Sequence, residues 1–138
     1  MKTSLLIILI FLFSCTKEQQ DFRDQYTGTY RGPVTFDLPG WQHSRENNAF
    51  IVKGTASNEL AIQNLGIPSY SIAILSNNTY TYYPFNNGSL GQSVIAQYRG
   101  RGTFNGDSLC EEGTIMISSY GVIESGTWCT KMKKDKTQ

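Results

Sequence analysis

Over residues 28–133 the apolar side chains never recur at the 3.6-residue spacing of an amphipathic helix. They come in short runs rich in Val, Ile, Thr, Tyr and Phe, broken by Asn, Gly, Ser and Pro. This punctuation constrains the chain more than any other feature. β-branched and aromatic residues fit a pleated, half-buried surface, and the breakers fit the turns between strands. The pattern predicts eight strands: 29–38, 49–57, 59–65, 70–75, 79–85, 93–104, 108–118 and 122–133. Strands in sequence with tight turns predict an all-β, antiparallel, up-and-down barrel, which leaves no sheet edge open. A two-sheet sandwich is the alternative.

The first residues carry an address. Met1-Lys2-Thr3-Ser4 bears one positive charge, and a continuous apolar run from Leu5 to Phe13 follows. Nine residues suit the core of an export signal and fall short of a bilayer-spanning helix. The run ends in Leu12-Phe13-Ser14-Cys15. This resembles the bacterial lipobox: Leu three before the cut, a small residue just before it and Cys after it. The resemblance implies a signal peptide over residues 1–14 and acyl chains on Cys15. Residues 15–27 are polar and aperiodic, which predicts a flexible tether. The domain itself is expected over 28–134, followed by a polar tail over 135–138.

One domain of this size can bury a single core. One of the 12 Lys+Arg residues, Lys2, falls in the leader, so the rest balance the 11 Asp+Glu. That balance argues against nucleic acid, whose binders carry a basic surplus. With Cys15 assigned to lipid, Cys110 and Cys129 remain, and an exported compartment permits a bridge between them. If Ser119-Tyr120 forms a two-residue hairpin loop, the two cysteines fall directly opposite, within disulfide range. One disulfide, Cys110 to Cys129, is therefore expected.

Catalytic chemistry is sparse. His43 is the sole histidine, and it is expected in a polar loop between the first two strands with no orienting partner. Glu111 and Glu112 adjoin on a strand, so their side chains point to opposite faces and cannot act as a facing pair. No zinc, calcium or dinucleotide pattern occurs. The chain is read as a non-enzyme without cofactor or metal. Aromatic residues are dense instead. Tyr80 and Tyr82 share one strand face, and a neighbouring face of Val94, Ala96, Tyr98, Gly100 and Gly102 sets small residues against large rings. Filling of the core is one use for them. A cavity or rim for an apolar or sugar ligand is the other, with Trp41, Tyr80, Tyr82 and Tyr98 as the contacts and Trp41 as a lid. Arg99 and Arg101 alternate outward, toward solvent or a partner.

A lipobox, a polar lead-in, the opening Tyr26-Thr27-Gly28-Thr29-Tyr30-Arg31-Gly32 and the late Ser125-Gly126-Thr127-Trp128 together resemble small lipocalin-like lipoproteins of Gram-negative bacteria. The resemblance implies a lipid-anchored barrel of the cell envelope, attached to the outer membrane. Its function is expected to be binding of a small apolar or carbohydrate ligand. An envelope structural or protein-interaction role with a filled core is the alternative.

Overall fold

A computed structural model describes residues 20–64, 70–82, 85–87 and 94–136. The leader, Cys15 and Tyr83 lie outside these residues, as does the side chain of Tyr82. The described residues form nine antiparallel strands in one sheet: β1 (Gly28–Leu38), β2 (Trp41–Lys53), β3 (Glu59–Gln63), β4 (Ser71–Ser76), β5 (Thr79–Tyr82), β6 (Phe85–Asn87), β7 (Val94–Asn105), β8 (Ser108–Ser119) and β9 (Val122–Lys134). The spatial order is β5-β4-β3-β2-β1-β9-β8-β7-β6, and β5 also pairs with β7. That last pairing closes the sheet into a ring of consecutive strands, as the all-β up-and-down expectation requires. The predicted fifth strand is β5 and β6 together.

Three expectations are corrected. The second strand begins at Trp41, not at residue 49, because Pro39-Gly40 is already the turn and Leu38 pairs with Trp41. Proline first and a glycine at φ 73 second suit a type II turn. The polar stretch from Gln42 to Asn48 is thus strand, not loop. The second correction concerns the last hairpin. Its turn is Tyr120-Gly121, with φ of 50° and 82°. Two positive φ values define a type I′ turn, which glycine favours and which matches the twist of the flanking strands. Ser119 therefore stays in the strand and pairs with Val122. The register moves by two residues, so Cys110 faces Lys131 and Cys129 faces Glu112. The cysteines share the outer face on a diagonal, and both are exposed free thiols. Third, the lead-in expected to be flexible is built into the structure from Asp21 onward. Residues Phe22–Gln25 form a 3₁₀ turn whose N-cap, Asp21, accepts from the Arg23 backbone N–H.

That turn closes one end of the ring. The Arg23 guanidinium donates to the carbonyls of Gly54, Ala56 and Glu59 at 3.1, 2.5 and 3.2 Å. Its pairing with Asp21 holds that carboxyl well below the usual carboxylate range, chiefly through their side-chain hydrogen bonds. Tyr26 then lays its ring on Phe104, with centroids 4.5 Å apart, and Phe104 also meets Tyr30 and Tyr80. The interior continues upward through Leu109, Met132, Ile51, Leu60, Ile62, Val34 and Trp128, all buried.

Two glycine positions make room for the large rings. A Cβ on Gly102 would stand 2.1 Å from Cζ of Tyr80, which pairs with it across β5 and β7. Gly100 and Gly113 pair with each other, and Gly113 pairs with Trp128, whose ring lies 2.6 Å from where a Gly100 Cβ would sit. The expected juxtaposition of large rings and small residues holds here. Arg99 and Arg101 do point outward.

Because Tyr80 is walled in, it cannot retreat from an added methyl group. Gly102→Ala is expected to cost about 2 kcal/mol or more, read as a lower urea midpoint at unchanged slope.

Candidate functional site

The interior holds one polar cluster among apolar neighbours. Asn47 on β2, Asn64 just past β3, Tyr80 on β5 and Glu111 on β8 are all buried. The Tyr80 hydroxyl donates to Oε1 of Glu111, and Nδ2 of Asn64 donates to Oε2. Nδ2 of Asn47 donates to Oδ1 of Asn64 at 2.5 Å and lies 3.6 Å from the Met132 sulfur. The cluster thus ties the β2–β3 side of the ring to β8 across the interior. Among the described residues no buried side-chain nitrogen or oxygen lacks a partner, which is the condition for a buried polar network to stabilise its fold. Glu112 next door faces outward to Arg101, so the two glutamates do take opposite faces. Sequence reading weighed Glu111 only as half of an acidic pair and passed over Asn47 and Asn64. The available signal was phase: Glu111 keeps step with Leu109 and Ile115, the inward positions of β8.

The end opposite the 3₁₀ turn is different. Trp41, His43 and Arg45 occupy the inward-pointing positions of β2, in step with buried Asn47, Ala49 and Ile51, yet all three are exposed. Their partners on β1, Leu38, Phe36 and Val34, are buried. Trp41 is 50% exposed. It stacks on His43 with centroids 5.3 Å apart and planes 22° apart. The Arg45 guanidinium carbon lies 5.7 Å from the centre of the Phe36 ring, a cation–π contact. Tyr98 is buried near this end, opposite Ile115. Burial pushes its phenol pKa up, and the charge of Arg45 opposes that rise. The tip of the β8–β9 hairpin, at the same end, exposes Tyr120, Val122 and Ile123.

The four aromatic residues singled out from the sequence therefore separate. Trp41 stands on the rim as a strand residue and not as a lid on a loop. Tyr98 is buried below it. Tyr80 is locked in the core cluster, 1% exposed. Tyr82 has its side chain outside the described residues. His43 is a strand residue stacked on Trp41. On the outer face of β1 and β7–β9 lie two shallow hollows of about 480 and 650 Å³. Arg101, Glu112 and Cys129 line both. The Arg101–Glu112 pair there is mostly exposed, so it contributes little to stability. Among the described residues no cluster of His, Cys, Asp and Glu could hold a metal ion.

No family model matches the chain, and no curated protein is detectably similar to it.

Two consequences are measurable. Tyr80→Phe deletes one donor to the buried Glu111 carboxylate and is expected to cost about 1–3 kcal/mol in chemical denaturation. The second concerns alkali. Burial pushes the Tyr30 phenol from 10.0 up to about 12, with Asp107 and Tyr26 adding to it. The neutral phenol is the form the fold favours, so its contribution is complete below pH 10 and is lost as pH rises toward about 12. Thermal stability is expected to decline across that window, and the decline should be shallower in Tyr30→Phe.

Proposed function

We propose that the chain is an exported lipoprotein, anchored through acyl chains on Cys15 in the outer membrane of the cell envelope. In this reading the domain binds an apolar or carbohydrate ligand at the rim that carries Trp41. The observation that carries the binding reading is the asymmetry of the two ends. One is closed by the Arg23–Tyr26 segment. The other leaves inward-pointing Trp41, His43 and Arg45 exposed, beside the apolar tip of the β8–β9 hairpin. An exposed indole face with a charged group nearby suits stacking on a sugar ring or covering an acyl chain. The likeness to lipocalin-like lipoproteins supports the same placement of a ligand at a barrel mouth.

The second reading is an envelope protein that works through its outer wall. It is favoured by the packing of Trp128, Tyr30, Tyr80 and Phe104 in the interior, which leaves the hollows beside Arg99 and Arg101 as the contact surface.

Two measurements test the proposal. Intact mass of the detergent-extracted protein should show loss of residues 1–14 and gain of acyl chains, both abolished by Cys15→Ala. An unacylated full-length mass sinks the anchor. Indole fluorescence reads the ligand, since Trp41 is half exposed while Trp128 is buried. Titration with fatty acids and oligosaccharides should shift the exposed component. Trp41→Ala should weaken binding about tenfold or more, the loss of a central aromatic contact, while stability changes by less than about 0.5 kcal/mol. Unchanged affinity in Trp41→Ala would move the site to the outer wall.

A further inference from the structure

We infer that the outer face of β2–β4 is the wall that this domain lays against the lipid bilayer. The inference rests on the lipoprotein reading and adds an orientation to it.

The two outer walls of the ring differ sharply. On β7–β9 the outward positions Arg99, Arg101, Thr103, Cys110, Glu112, Thr114, Thr127, Cys129 and Lys131 are a polar series, and apolar exposure, at Met116 and Ile123, comes only toward the hairpin tip at the far end of the ring. On β2–β4 the outward positions include Phe50, Val52 and Ile72, and Tyr70 just before β4 is exposed with them. They are 42%, 45%, 38% and 49% exposed. Val52, Ala61 and Ile72 are direct cross-strand neighbours, so the apolar atoms form one continuous patch. A wall facing only water alternates to polar at these positions, and grouped apolar exposure marks a contact surface.

The tether identifies what covers it. Nζ of Lys53, the residue after Val52, lies 3.6 Å from the Asp21 carboxylate and 2.6 Å from Asp24. Arg23 is fastened to the carbonyl of Gly54. The lead-in is therefore pinned at the lower edge of the apolar wall. Five residues separate Cys15 from Asp21, and the six steps between the two can span at most about 20 Å. An acylated Cys15 thus holds the bilayer within that distance of Asp21, at the Lys53 end of β2, whereas the Trp41 rim stands at the other end of that strand. A second copy of the chain is the weaker occupant. Four half-covered side chains expose on the order of 400 Å², against about 800 Å² per partner in a stable interface. A bilayer surface demands no such complementarity.

The test uses the full acylated protein in phosphatidylethanolamine/phosphatidylglycerol vesicles that contain a diazirine-bearing phospholipid. After illumination, peptides carrying residues 50–52 and 70–72 should take up label several-fold above those carrying 99–103 and 110–114. Phe50→Ser with Ile72→Ser should lower that labelling while the protein stays vesicle-bound through its acyl chains. Equal labelling of both walls, preferential labelling of the β7–β9 wall, or crosslinks between two copies through residues 50–72 would overturn the orientation. The wild-type map decides this even if the double variant does not fold. Intact mass, read on the same sample, separates the two levels. An unacylated chain overturns the lipoprotein reading and the orientation with it, while an acylated chain labelled on the wrong wall overturns the orientation alone.

Discussion

The contact of Tyr80 with Gly102 and Glu111 is the constraint on which the ring depends. β5 is four residues long, and its pairing with β7 is what turns an open nine-stranded sheet into a closed one. A strand so short brings few backbone hydrogen bonds to the seam. The buried Tyr80 side chain supplies the rest: its ring fills the space left by the missing Cβ of Gly102, and its hydroxyl donates to the Glu111 carboxylate. From there Asn64 and Asn47 carry the network to the opposite wall. A carboxylate buried without such donors would be strongly unfavourable. Alternative pairings of β5 that remove Tyr80 from Glu111 cost the carboxylate one of its donors, so the network selects register as well as closure.

Closure gives the molecule two unlike ends. The lower end carries tight turns, the Arg23 guanidinium over three carbonyls, and a stack of aromatic rings from Tyr26 through Phe104 to Tyr80. The upper end lacks such a plug among the described residues, and the long β1–β2 hairpin extends there. Its inner face therefore meets solvent with Trp41, His43 and Arg45 in place of core residues. The proposed anchor belongs with the first end and the proposed ligand with the second, a polarity suited to a domain that is held at its base and reads its surroundings at its rim.

Much of the fold was legible because alternation and turn residues are local. The strands from Thr29, Glu59, Thr79, Ser108 and Val122 were readable within a residue or two, and so was the outward phase of Arg99 and Arg101. The second strand was misplaced for a physical reason. Both faces of its first half meet solvent, so it lacks the apolar alternation that marks a strand. The last hairpin slipped by two residues because Ser119-Tyr120 and Tyr120-Gly121 are both plausible turns locally. Only the pairing along twelve residues of β8 and β9 selects the second, and that choice moves Cys110 and Cys129 off each other. The candidate ligand residues scattered because strand phase says inward or outward and does not say how deep.

The sequence by itself determined an all-β antiparallel chain, its strand phases and its turns. It also carries the leader and lipobox-like segment on which the anchor reading rests. These follow from side-chain shape, period and short motifs, all of which act over a few residues. Tertiary structure alone decided that β5 closes on β7, that Glu111 is a buried hydrogen-bond acceptor and not a surface acid, that Trp41 stands on a rim, and that Val52, Ala61 and Ile72 meet on the outer face of β2–β4. Each of these depends on residues far apart in the chain coming to the same height of the ring. That height is set by register and closure, which no local pattern encodes.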